Sequence, residues 1–251
     1  MQSNSGAFLG LIMLAGCLTA ASARAEGTTV SCEVPDYLLA SESTLPKVAE
    51  AIKTGHSLDI LVVGSRSSTI NSDGNAYPGR LQTALREKLP KLAINLSVEI
   101  QARKTAEEVA AVIVKMMEGK RPTLVIWQTG TVDAMRSVDP DDFRGAVDEG
   151  VAAMQNAGAD VILMNLQYSP RTETMISAPP YLDNMRVVAQ QHDVPLFDRF
   201  AIMRTWNETG DFDLFSTTNG IEIAKRVHDC LGRALSTFVI DAAHANPAQQ
   251  N

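Results

Sequence analysis

Aromatic residues are scarce in this 251-residue chain, at 5%, and none is interleaved with a run of lysine or arginine. The chain therefore offers no stacking platform for single-stranded nucleic acid. Basic residues are outnumbered, 22 against 29 acidic ones, giving a net charge of −7 and a pI of about 5.1. Without a basic cluster there is no electrostatic footprint for nucleic acid or anionic lipid. Only four histidines are present, and no His/Cys/Asp group has metal-ligand spacing. Gly-x-Gly-x-x-Gly and Gly-Lys-Ser/Thr are both missing, so no nucleotide cofactor is expected. Nor is there an internal repeat or a low-complexity linker. With 45% hydrophobic residues the chain has enough apolar mass for one sizeable core.

The one long uncharged run lies at the start, from Gly6 to Ala23. It ends in Ala23-Arg-Ala25, a small-x-small pattern, so residues 1–25 read as a secretory signal peptide cleaved after Ala25. Export to the periplasm or beyond is the expectation. Leu14-Ala-Gly-Cys17 also resembles a bacterial lipobox, which would leave Cys17 lipidated. An uncleaved anchor is the third option, because about 18 apolar residues barely span a bilayer. Membrane association is expected only under those two alternatives. Cleavage after Ala25 removes Cys17 and leaves Cys32 and Cys230, an even pair in a compartment that permits disulfides. A bridge between them would tie the N-terminal segment to the last helix; two separate buried thiols are the alternative.

Residues 26–57 form an N-terminal helical extension, with a helix expected over Pro35–Lys53 and stopped by Gly55. Five short apolar runs follow, at Leu58–Val63, Ala93–Ile100, Thr123–Trp127, Asp160–Asn165 and Val194–Phe197. Helical patterns alternate with them: Gly79–Leu89, Thr105–Met117, Asp142–Asn156, Pro180–His192 and the long Gly220–Ala243. Continuous β-branched strands separated by helices of 10–15 residues give parallel βαβ units. The fold class is therefore α/β, a three-layer doubly wound parallel sheet over 58–243, before a polar tail at 244–251. Ligands of such sheets sit beyond the carboxyl ends of the strands, at the switch in strand order.

Three rim segments carry candidate chemistry. Gly64 followed by Ser65-Arg-Ser-Ser-Thr69 puts hydroxyls at a tight turn after the first strand, where a serine can serve as nucleophile or simply satisfy its own backbone. Gly130-Thr-Val-Asp133 follows the third strand, and Asp133 is either a site carboxylate or a helix cap for Ala134–Ser137. Asp213-Leu-Phe-Ser216 precedes the last helix, where a carboxylate orients a histidine in a catalytic triad. Asp198 and Arg199 read as structural, and Arg171 as either an anion clamp or a surface ion pair. The histidines stand elsewhere. His56 and His192 lie away from the rim and His244 lies in the tail. His228 is twelve residues past Ser216, roughly 18 Å along a helix.

The order of these pieces resembles the SGNH/GDSL hydrolase family, esterases and deacylases on a flavodoxin-like sheet, over about Leu58 to Leu235. Leu61-Val-Val-Gly64-Ser65 through Tyr77-Pro-Gly-Arg-Leu81 is similar to its first block, Trp127-Gln-Thr-Gly-Thr-Val-Asp133 to the block written Gly-x-Asn-Asp, and Asp213-Leu-Phe-Ser216 to Asp-x-x-His. The resemblance implies a serine hydrolase without cofactor, acting on a small ester, acyl or acetylated-glycan ligand. The departures fall on the chemistry. Arg66 or Ser67 stands at the nucleophile, depending on pairing. Ala102-Arg-Lys104 lacks the oxyanion glycine, Val132 replaces the oxyanion Asn and Ser216 replaces the His. Three readings follow. The cleft has lost triad chemistry but keeps an ester-type ligand, or an esterase works through Ser67 or Ser65 with Asp133 or Asp213. In the third, Arg66, Val132 and Phe215 fill the cleft of a partner-binding module.

Overall fold

The computed structural model describes residues 1–2, 32–70, 76–215 and 220–244. The expected signal peptide with Cys17, Ser216 and most of the polar tail lie outside the described residues. Five strands form one sheet: β1 (Leu58–Gly64), β2 (Ile94–Ile100), β3 (Leu124–Gln128), β4 (Asp160–Met164) and β5 (Leu196–Phe197). Their order is β2-β1-β3-β4-β5, and every pairing is parallel. β3 and β4 are buried at every position, as expected of strands covered on both faces. The doubly wound α/β architecture is as the sequence implied.

The helices are α1 (Asp36–Leu39), α2 (Pro46–Thr54), α3 (Tyr77–Lys88), α4 (Ala106–Met117), α5 (Thr131–Met135), α6 (Pro140–Asn156), α7 (Pro170–Met175), α8 (Pro179–Gln191), α9 (Arg199–Glu208) and α10 (Gly220–Ala242). Right-handed crossovers from β1 outward to β2, then back past β1 to β3, put α3 and α4 on opposite faces. α10 packs on α3, while α4, α6 and α8 pack in sequence. The switch in direction falls between β1 and β3, where a ligand site is expected.

The helix expected over Pro35–Lys53 is two helices. Pro46 opens α2 and forces Leu45 out of the helical region, to φ −116° and ψ 77°, because its ring crowds the preceding residue. Gly55 ends α2 at φ +69°. Asp160 Oδ2 accepts the Lys47 and Val48 N–H groups at 2.8 and 3.0 Å, pinning the start of α2 to the sheet. The Leu45 N–H reaches the Ala242 carbonyl at 2.9 Å. Cys32 and Cys230 form a disulfide, with Cα atoms 5.2 Å apart at a sequence separation of 198.

Gly232 sets how closely α10 approaches α3. A Cβ there would overlap Arg80 and stand 2.8 Å from the Leu81 nitrogen, and the backbone of α3 cannot yield as a side-chain tip does. Gly232→Ala should therefore lose about 1–3 kcal/mol of unfolding free energy in urea, the usual range for overpacking. Gly145 on exposed α6 surface meets nothing within 4 Å. Gly145→Ala should instead gain about 0.5–1 kcal/mol from helix propensity, so parallel urea curves separate the two effects.

Candidate functional site

The carboxyl end of β1 turns at Gly64, whose missing Cβ leaves room for Ser68 Oγ beneath the turn. Residues 66–68 form a single 3₁₀ turn, with Ser65 Oγ accepting the Ser67 N–H at 3.4 Å. Ser68 is thereby buried and donates to Gln128 Oε1 at 2.7 Å. Gln128, the last residue of β3, organises the rest of the rim. Its Oε1 also accepts from Tyr77 Oη at 3.2 Å. Its Nε2 donates to Ser65 Oγ at 3.0 Å and to Ser67 Oγ at 2.8 Å. From the far side, Arg199 at the start of α9 sends Nη1 to Ser67 Oγ at 3.3 Å and Nη2 to the Ser67 carbonyl at 3.4 Å.

His228 completes the cluster. It sits on the buried stripe of α10 with Leu231, Leu235 and Phe238, at spacings of three and four residues. Its Nδ1 accepts the Tyr77 N–H at 3.0 Å, at the first residue of α3. Desolvation, reinforced by the nearby Arg199 charge, lowers its pKa to about 3. The ring is thus neutral at pH 7. A neutral imidazole has one lone pair for accepting, and Tyr77 occupies it, so Nε2 carries the hydrogen. In a catalytic triad a carboxylate takes Nδ1–H and leaves the Nε2 lone pair facing the serine. Here the tautomer is reversed.

Ser67 Oγ, correspondingly, faces two donors, Gln128 Nε2 and Arg199 Nη1, with Ser65 Oγ at 3.1 Å as the partner that shares its own hydrogen. Among the described residues neither an imidazole nor a carboxylate accepts from it. Such a hydroxyl has stabilisation for an alkoxide but no base to make one. Losing the triad histidine costs about 10⁶ in turnover in a serine protease.

The other candidate residues separate into two places. Gly64, Ser65, Gly130, Thr131, Val132 and Asp133 line a cavity of only about 10 Å³, the size of one water. Asp133 is fully buried, and its Oδ1 accepts the Ala106 N–H at 2.8 Å. It therefore takes the first N–H of α4, whose N-cap is Thr105; the short helix expected from Ala134 is α5, with Gly130 at its N-cap at φ +93°. Burial raises the Asp133 pKa, opposed by that hydrogen bond. Asp213 is exposed, its Oδ1 accepting the Phe215 N–H at 3.1 Å, and it lines a second cavity of about 150 Å³ with Arg199 and His228. Arg66 and Phe215 do not fill the cleft: both are exposed, and Phe215 lies against the Arg171 guanidinium. Val132 is half-buried.

Arg199, read as structural from the sequence, hydrogen-bonds Ser67, and His228, read as too far along its helix to serve Ser216, bonds the Tyr77 N–H and no serine. The 18 Å distance was measured from Ser216, whereas His228 meets the site through Tyr77. The carboxyl-end rule applied to β3 and β5 points directly at Gln128 and Arg199, and the apolar stripe of α10 points at His228. Asp198 caps α9 through its Oδ1 and the Ala201 N–H at 2.9 Å, as a structural residue would.

A family model for non-GDSL lipase-like proteins matches residues 31–245. The chain belongs to the non-GDSL lipase-like family. Solved structures carry the same fold. TesA is 18% identical, with TM-score 0.56 over 71% of this chain and 98% of its own. A two-domain esterase active on acetylated mannans is 13% identical, with TM-score 0.66 over 84% of this chain and 57% of its own. AlinE4, an SGNH-hydrolase family esterase, is 20% identical, with TM-score 0.52 over 66% and 89%. At these identities the likeness establishes the SGNH hydrolase-like fold alone. No curated protein matches the chain.

Proposed function

We propose that this family member holds a small ester, acyl or acetylated-glycan type ligand at the carboxyl edge of its sheet and does not cleave it by triad chemistry. The observation that carries this reading is the Tyr77 N–H bound to His228 Nδ1, which turns the only imidazole of the site into a donor. A two-domain esterase active on acetylated mannans shares the fold, which supports that ligand class. Export to the periplasm or the medium belongs to the same proposal. Its support is the Cys32–Cys230 disulfide, a bond that persists in oxidising compartments.

A second reading, an esterase with Ser67 as nucleophile, draws on the two donors that flank its Oγ. One experiment separates them. Wild type and Ser67→Ala are assayed with p-nitrophenyl acetate, and wild type is treated with a fluorophosphonate. The expected result is no labelled serine and equal, buffer-level turnover in both proteins. A label on Ser67, with turnover that vanishes in Ser67→Ala, would overturn the proposal in favour of the esterase.

A further inference from the structure

The two sulfurs of the Cys32–Cys230 bridge stand in unlike surroundings. Cys230 lies on the buried stripe of α10 at 2% exposure, whereas Cys32 is only half-buried. A thiolate breaks a disulfide by attacking one sulfur, and access decides which sulfur that is. Burial bars the attack on Cys230 and leaves Cys32 as the sulfur to meet. Arg233, three residues further along α10, sends Nη2 to Cys32 Sγ at 2.6 Å and stands 4.0 Å from Cys230 Sγ. Asp229 Oδ2 meets the same nitrogen at 2.8 Å and fixes the guanidinium there. A cation in contact with a sulfur favours its thiolate, which is both the attacking and the leaving form.

Opening the bridge does not set Cys32 adrift. The carbonyl of the next residue, Glu33, accepts from Trp206 Nε1 at 2.8 Å, and Trp206 is fully buried on α9. α1, which begins at Asp36, packs against α10. The Leu45 N–H holds the Ala242 carbonyl at the end of α10. These ties keep the two thiols of the reduced chain within reach of each other. Closure is then an intramolecular step at high effective concentration. A bridge that alone held its segment would lose its partner on reduction.

We infer that the Cys32–Cys230 bridge opens and closes within the folded protein through a mixed disulfide on Cys32, which makes this corner an exchange site for a thiol–disulfide oxidoreductase. On reduction, a thiolate of the partner's dithiol attacks Cys32 Sγ. The Cys32–Cys230 bond breaks, its electron pair leaving on Cys230, and a bond forms between Cys32 and the partner's sulfur. The partner's second thiolate then attacks that same partner sulfur and releases Cys32 as a thiolate against Arg233. The bridge has gained two electrons and the partner's dithiol has become a disulfide. Oxidation runs the same steps backwards. The inference is independent of the ligand reading above.

The test places the folded chain in a mixture of reduced and oxidised glutathione, quenches with acid and maps the adducts by mass after digestion. Glutathione should appear on Cys32 with a preference of about tenfold or more over Cys230. Circular dichroism should show the same helix content before and after reduction. A second measurement follows the Cys32 thiol in Cys230→Ala with dithiobis(nitrobenzoate) at pH 7. Arg233→Gln in that background should slow the reaction about threefold, because a roughly tenfold smaller thiolate population is partly offset by a more nucleophilic sulfur. Arg233→Lys should restore the rate. Equal labelling of the two cysteines, or labelling chiefly on Cys230, would overturn the inference. So would loss of helix on reduction, or a rate that Arg233→Gln leaves unchanged. The glutathione map of wild type decides the matter even if a variant does not fold.

Discussion

Acidification from pH 6.5 toward pH 3 should cost the folded chain up to about 5 kcal/mol at His228 alone. The unfolded ring titrates at its ordinary value of 6.5, whereas burial and the Arg199 charge hold the folded ring at about 3. Between those values the unfolded chain binds a proton that the folded chain refuses. Stability is therefore complete above pH 6.5 and falls by about 1.4 kcal/mol per unit below it. Asp133 and Asp160 act in the opposite sense, since burial raises both carboxyl pKa values and their protonated forms favour the folded state at low pH. A wild-type curve mixes these effects, so the informative quantity is a difference. His228→Asn keeps an acceptor close to the Nδ1 position for the Tyr77 N–H but has nothing to titrate. Urea unfolding of both proteins from pH 7 to 4 should show wild type losing about 3 kcal/mol relative to the variant by pH 4. Parallel curves would mean that His228 is solvated or protonated in the fold, and the reversed tautomer would fall with it.

The sheet was legible because its information is local. Leu58–Val63 and Thr123–Trp127 are unbroken apolar runs, and such runs have few uses other than strands covered on both faces. The break before Pro46 was equally legible and was overridden by the apolar spacing from Leu38 to Ile52, which bridges it. The short helix α7 escaped because it carries no amphipathic repeat; α9 buries Arg199, Ile202, Met203 and Trp206 at helical spacing, but its stripe opens on a charged residue and it begins directly from β5 on the cap supplied by Asp198. The site was less legible than the fold, because its members are joined across the sheet rather than along it. Gln128 and Ser68 are 60 residues apart, and Ser67 and Arg199 are 132 apart. A family pattern lists positions at which a nucleophile, a carboxylate and a histidine ordinarily stand. It does not anticipate an imidazole arriving from inside the last helix with its acceptor nitrogen already taken. That contact depends on Gly232, one turn beyond His228, letting α10 close on α3.

Reduction of the Cys32–Cys230 disulfide should lower unfolding free energy by about 2–5 kcal/mol, with Cys32→Ser giving the same loss. Closing a segment that spans 198 residues of sequence constrains the unfolded chain severely, and the chain-entropy model places the ceiling at about 5 kcal/mol. Cys32 is the better site to change, since Cys230 is buried and a serine there would add an unsatisfied hydroxyl. The folded state has other ties for the same segment. Trp206 Nε1–H donates to the Glu33 carbonyl at 2.8 Å, Leu45 is bonded to Ala242, and Asp160 holds the start of α2. The native fold should therefore survive reduction with its helix content intact, and the loss should arise from expansion of the unfolded ensemble. Urea denaturation distinguishes the two origins: an expanded unfolded state exposes more surface and raises the m-value, whereas loss of native contacts alone leaves it unchanged. Unfolding free energies that match with and without reductant would show that the bridge contributes nothing to the fold. The stability argument for export would then be gone, because a chain indifferent to its disulfide gains nothing from an oxidising compartment.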